Sequence, residues 1–236
     1  GIGKKKEKHT PHNLLITLIG GILVWLGWYG FNVGSAFTFD HIAMISFVNT
    51  VIGASAGAFG WLIFEYILKK TTSLLGLLSG ALSGLVAITP AAGYVSYMSA
   101  MIIAIIGGIC CYIVINLIKV KLQYNDALDA FGIHGVGGIL GAVFTGVFQS
   151  HQINNAVQNG FIYTADFKIV VIQLGAAIAT VVFSAIVTFL IARFIKIFTP
   201  LATTQEEDKT GLDAIVHGEK AYFYGELNKF NRHIKF

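Results

Sequence analysis

Charge is what this chain has least of. Only 12% of its 236 residues are Asp, Glu, Lys or Arg, against about 25% in an ordinary soluble domain. Residues 13–35, 41–64 and 71–118 contain none, and neither do residues 130–165 and 169–192. Such runs exclude a soluble fold, and several exceed the ~20 apolar residues that a helix needs to cross a bilayer. Proline is scarce as well, with three residues, so little interrupts the runs. The two cysteines, Cys110 and Cys111, are adjacent in an apolar run and point about 100° apart on a helix. That argues against a structural disulfide or a metal site and for two small core residues. A signal-peptide layout is also missing, because Gly1-Ile-Gly-Lys-Lys-Lys-Glu-Lys has neither an initiator Met nor a charged-then-apolar order. It reads as the end of an earlier helix running into a basic loop, so the chain is expected to be a fragment.

What is present, at 55% hydrophobic residues, is an all-α polytopic membrane protein. Six transmembrane helices are predicted, over residues 13–37, 41–67, 73–92, 94–118, a fifth that carries His134 and ends near 148, and 169–198. The third ends beside Pro90, which a helix interior tolerates poorly. Asp126 is placed to cap the fifth, with Asp129 three residues on, where a carboxylate suits the positive helix end.

The net charge of +4 does not point to nucleic acid, because the basic residues lie in short connections between spans. Four Lys precede the first span, two lie at Lys69-Lys70, two at Lys119 and Lys121, and seven Lys or Arg follow from Arg193 onward. Only Lys168 falls on the other side. By the positive-inside rule both termini are expected in the cytoplasm of a multi-pass cell-membrane protein. Residues 1–12 then form a cytoplasmic loop, 13–198 the transmembrane part and 199–236 a cytoplasmic tail. Gly76, Gly80 and Gly84, and likewise Gly135, Gly138 and Gly141, recur at helical spacing, as small residues do where membrane helices approach closely.

Within the apolar runs one ionisable group stands out. His134, in Asp129-Ala-Phe-Gly-Ile-His134-Gly-Val-Gly-Gly138, is the only histidine deep inside such a segment. Ionisable groups at membrane depth are costly and usually functional. Neutral imidazole offers one donor and one acceptor and can relay a proton. On a regular helix Phe131, His134, Gly138 and Gly141 share a face, which gives the ring an aromatic neighbour and open space. The plain alternative is a core histidine bonded to a backbone carbonyl. A second constellation is Gly27-Trp28-Tyr29-Gly30-Phe31-Asn32-Val33-Gly34-Ser35. Phe31 neighbours both Trp28 and Ser35 on one helix face, and an aromatic face beside a hydroxyl can hold a cation. An interfacial aromatic belt would look similar. A permeating cation normally needs carboxylates or many oxygen ligands to replace its water, and the spans offer an imidazole and aromatic rings instead, so a small neutral species or an ion that sheds its proton fits better. The other histidines lie in the basic lead-in (His9, His12), near the outer water (His41, His151) or in the tail (His217, His233). Glu65 reaches Lys69 and is expected to form a surface pair.

These motifs resemble a known family. Residues 27–36 resemble the sixth helix of the ammonium transporter family (Amt/Mep, related to Rhesus proteins). Phe47-Val48-Asn49-Thr50, Ser73-Leu74-Leu75-Gly76 and Val86-Ala87-Ile88-Thr89-Pro90-Ala91 resemble the helices that come next in that family, in the same order. Residues 129–138 resemble its tenth helix, and Gly211-Leu212-Asp213 with His217-Gly218-Glu219 its cytoplasmic tail. The match runs from about Pro11 to Tyr222, and Phe223-Tyr224-Gly225-Glu226 lies beyond it.

The resemblance implies an eleven-helix subunit in a homotrimer, with helices one to five and six to ten as inverted repeats. This chain would supply the second inverted repeat plus the last helix. By the same resemblance His134 is one of two pore histidines, Phe31 one of two gating phenylalanines, Trp28 a pore-lining tryptophan and Ser35 an outer hydroxyl that holds incoming ammonium. The substrate would be ammonium/ammonia, with no cofactor, no metal and no nucleic acid, in a transporter rather than an enzyme. The missing N-terminal five helices would carry the partner histidine and the second phenylalanine; His41, in an outer loop, cannot replace them. Two alternatives stand beside transport: an ammonium sensor signalling through a regulatory protein at the tail, and an inactive truncated fragment.

Overall fold

A computed structural model describes residue 11 and residues 13–219. The expected lead-in loop, Pro11 excepted, lies outside the described residues, as do His9, His12, His233 and the tail beyond Glu219. The described residues are helical without a strand. Six helices are long and apolar enough to cross a membrane: α1 Leu14–Gly34, α2 His41–Lys69, α3 Leu74–Ala91, α4 Tyr97–Leu122, α5 Phe131–Phe148 and α6 Lys168–Phe198.

Short polar side chains set where the helices begin. Asn13, Asp40, Ser73 and Ser96 each accept a backbone N–H three residues on, from Ile16, Ala43, Gly76 and Ser99 respectively. α2 ends at Lys70 in the left-handed conformation. Pro90 does not end α3 at once, because it occupies the first turn of a tighter segment, Thr89–Ala91, where its missing N–H is not needed. α4 begins three residues later than the predicted position 94. Buried Asn49 donates its Nδ2 to the Ala92 and Val95 carbonyls at 2.8 and 2.9 Å, holding 92–95 as a connection, and Ser96 then caps the helix.

The described residues fall into two compact units, those up to 184 and those from 185 to 219. In the first, α2, α3 and α4 pack on one another, α1 rests on α2 and α3, and α5 on α3 and α4. Membrane helices gain little from apolar burial against each other, so close packing must hold them. Glycines provide it here: a Cβ on Gly84 would strike the Gly53 carbonyl, and one on Gly108 the Gly57 carbonyl. The predicted stripe Gly76, Gly80 and Gly84 is thus a contact surface, each residue meeting α2. The periphery is different in kind. Only Gly21 and Asn32 of α1 are buried, and no residue of α6 is. The second unit holds the rest of α6, the short helix α7 Gln205–Thr210 with its Thr204–Glu207 capping box, and a wide turn at Asp213–His217.

Glu65 corrects one expectation. It is buried rather than at the surface, 4% exposed. Its carboxylate pairs with Lys69 at 3.3 Å and accepts the Ser73 N–H at 3.2 Å and the Ser73 hydroxyl at 3.1 Å, because the α2–α3 connection folds back over it.

Candidate functional site

α1, α3 and α5 line an open groove of about 500 Å³. Trp28 and Phe31 line it from α1, Thr89 and Pro90 from the end of α3, and His134 and Gly138 from α5. None of its lining residues is Asp, Glu, Lys or Arg. The imidazole of His134 lies parallel to the Trp28 indole, with ring centroids 6.1 Å apart and planes 13° apart. Phe31 meets Trp28 edge-on at 6.4 Å and 64°.

The Trp28 ring is held by a specific bond. The Trp28 indole N–H donates to Thr89 Oγ1 at 2.7 Å, and that hydroxyl donates to the Leu85 carbonyl at 2.7 Å. The indole is therefore fixed in the plane that stacks on His134. α1 buries little, so polar contacts seat it: Asn32 Nδ2 donates to Thr50 Oγ1 at 3.0 Å, Thr50 donates to the Ser46 carbonyl, and Tyr29 packs on Phe47 at 5.0 Å. Asn32 is itself buried and lies one turn from Trp28, so that bond anchors α1 to α2 beside the groove. Gly138 has nothing within 4 Å of where a Cβ would be, which leaves open space beside the imidazole.

Three of the four sequence-predicted residues, Trp28, Phe31 and His134, thus come together, and Ser35 does not join them. Ser35 caps the end of α1, exposed, with its hydroxyl donating to the Phe31 carbonyl at 2.6 Å. His41 is outside the groove, bonded through Nε2 to the Ile153 carbonyl at 3.1 Å. Two further expectations are corrected. Phe131 is not the aromatic neighbour of His134: the helix widens over Phe131–Gly135, which breaks the regular spacing, and the Phe131 ring lies over Gly135 and against Tyr124. Gly141 does not share the open face but abuts the Ala87 carbonyl. His134 is also exposed rather than enclosed, because the groove is open along one side, and Phe31 is 63% exposed for the same reason. Thr89 is the residue that sequence reasoning missed. It was visible in the Val86–Ala91 motif, but nothing local shows that its hydroxyl receives an indole proton from α1.

The arrangement suits a small, weakly charged guest. An ammonium-sized cation can lie against the aromatic faces but finds no carboxylate, and a neutral amine can accept from or donate to an imidazole. Among the described residues no group of three or more His, Cys, Asp or Glu side chains is placed to hold a metal ion. Cys110 and Cys111 are both free thiols.

Comparison with known proteins is consistent along the chain. A sequence model described as the Ammonium Transporter Family matches residues 1–222. An ammonium transporter of Bacillus subtilis is 48% identical over 223 residues, 94% of this chain and 55% of that protein. Ammonium transporter Amt1 of Archaeoglobus fulgidus is 36% identical over 225 residues, 94% and 56% respectively. The crystal structure of Saccharomyces cerevisiae Mep2 superposes with a TM-score of 0.76 at 32% identity, covering 81% of this chain and 45% of that one. A structure titled Sensor Amt Protein gives 0.74 at 28% identity, over 88% and 52%. The chain spans about half the length of the curated relatives it matches.

Proposed function

Because this chain belongs to the ammonium transporter family, we propose that it forms the second half of an ammonium-conducting pore, with the α1–α3–α5 groove as its share of the path. One observation carries this reading: the groove has uncharged, largely apolar walls and a single imidazole stacked on a fixed indole. A metal cation would lose its hydration there with no oxygen cage in return. Ammonium can instead leave its proton behind and continue as ammonia, which crosses an apolar wall at far lower cost than an ion.

In this reading ammonium is recruited at the outer end, where the Ser35 hydroxyl and the Phe31 ring lie. It passes Phe31 and gives up its proton to the imidazole of His134, which lines the groove. His134 then accepts and donates along the path, held by Trp28. Five further helices cover the open side of the groove and bring a second histidine to His134 and a second phenylalanine to Phe31. Residues 13–198 span the cell membrane with both ends of this chain cytoplasmic, as the basic connections favour. Residues 199–236 are the tail that a regulatory protein could engage, and three copies make the working assembly.

The test is His134→Ala in the complete protein, with methylammonium uptake and discrimination against potassium both measured. Altered uptake or weakened discrimination is expected. If uptake and discrimination both stayed as in the parent, His134 would have no part in the path.

A further inference from the structure

Two neighbouring helices widen where they face each other. In α4 the Lys119 N–H reaches back five residues to the Val114 carbonyl, and in α5 the Val136 N–H reaches back five to Phe131. The two wide turns, Val114–Ile118 and Phe131–Gly135, are in contact: a Cβ on Gly132 would strike Ile115, and Ile115 and Ile133 share one buried cluster. A wide turn inserts one residue, so the helix beyond it is rotated by about 100° relative to an unbroken one. That rotation separates Phe131 from His134 and leaves the imidazole facing Trp28.

Such a turn forfeits regular hydrogen bonds and persists only where its surroundings hold it. Here the entrance to α5 is held from several sides. The Asp126 carboxylate accepts the N–H groups of Ala130, Phe131 and Gly132. Asp129 adopts the left-handed conformation, φ 55°, which reverses the chain just before the helix. The Lys119 ammonium, at the end of the α4 turn, donates to the Asp129 carboxylate and to the Asp126 carbonyl. The Cys111 thiol, fully buried, donates to the Ile133 carbonyl inside the turn at 3.8 Å. Beside this cluster Tyr124 sits edge-on to Phe131 at 6.0 Å, its phenol pushed up by burial and by the nearby Asp126 and Asp129 charges.

We propose that Lys119, Asp126 and Asp129 form a latch that fixes the rotation of the His134 turn, and through it the stack on Trp28 and the selectivity of the groove. They are positioning residues, since none of them lines the groove. This rests on reading the groove as the ammonium path, so its test needs one measurement that does not depend on transport. A ring stacked on an indole changes its emission, so removing the imidazole in His134→Ala should produce a step in the tryptophan fluorescence of the complete protein relative to the parent.

In Lys119→Met that His134-dependent step should shrink several-fold, and ammonium-over-potassium selectivity should fall about tenfold, the scale of one lost charge-assisted bond. Lys119→Arg should restore both, because it keeps the charge. Where Lys119→Met does not fold, Asp129→Asn is measured instead, since Asn tolerates the left-handed conformation and removes only the charge. A parent-like fluorescence step with parent-like selectivity in these variants overturns the latch. Loss of the step in a protein whose parent takes up no methylammonium sustains the latch and refutes the transport reading alone.

Discussion

Thr89→Val isolates the bond that holds the indole of the groove. Valine has nearly the shape of threonine but cannot accept the Trp28 N–H, which Thr89 Oγ1 takes at 2.7 Å. The Leu85 carbonyl is little affected, because it keeps the backbone N–H of residue 89. Stranding a fully buried donor costs about 1–3 kcal/mol, and since Trp28 is half-buried the lower end, ~1 kcal/mol, applies. The Trp28–His134 stack is worth a similar ~0.5–1.5 kcal/mol, so the freed indole should leave its plane a large part of the time. Initial rates of methylammonium uptake should then fall about fivefold, the equivalent of ~1 kcal/mol. Melting of the purified protein should fall by only about 2–4 °C. Thr89→Ser keeps the acceptor and should behave as the parent. Parent-like uptake and melting in Thr89→Val would refute the idea that this bond orients the groove.

Other expectations come from the packing and the caps. Gly84→Ala places a Cβ against the Gly53 carbonyl between α2 and α3 and should cost about 1–3 kcal/mol in a thermal or denaturant melt. Gly138→Ala meets nothing within 4 Å, so its melt should match the parent while uptake falls because the groove narrows. Glu65→Ala leaves the Ser73 N–H and hydroxyl and the half-exposed Lys69 without their carboxylate and should destabilise by about 1–2 kcal/mol, whereas Glu65→Gln should lose less. The Asp40 carboxyl is held below the ordinary carboxylate range by the Ala43 N–H and then the Thr38 hydroxyl. Its cap therefore stabilises α2 above the ordinary carboxylate pKa and is lost as pH falls through the lowered folded value. The acid side of a melting-versus-pH curve should accordingly be flatter in Asp40→Asn than in the parent.

The six helices were legible because length and missing charge act along the chain, one residue at a time. α6 differs from its prediction by one residue at its start, and α2 by two at its end. Readings failed where a distant segment decided the outcome. The start of α4 moved because Asn49, on another helix, takes the carbonyls of the preceding connection. Ala130 rather than Asp126 holds the N-cap position of α5, yet the Asp126 carboxylate still accepts N–H groups of the first turn from four to six residues away, since Asp129 turns left-handed between them. The regular 3.6-residue period does not run through residue 131, and the inserted residue of the wide turn exchanges Phe131 for Trp28 as the imidazole's neighbour. Glu65 looked like a surface partner of Lys69 because the fold-back of Ser73 leaves no periodic trace. Trp28, Phe31 and His134 stand out by chemistry, as a histidine among apolar residues and two aromatic rings one helical turn apart, while their roles in a pore, and that of Ser35, are what the family resemblance implies.

Uptake into vesicles by the purified, complete protein tests most directly whether this groove conducts ammonium. Labelled methylammonium should accumulate, unlabelled ammonium should compete with it, and potassium at the same gradient should not pass. Correctly inserted protein that moves no methylammonium, or that passes potassium as readily, would contradict the assignment of the Trp28–Phe31–His134 groove as an ammonium path.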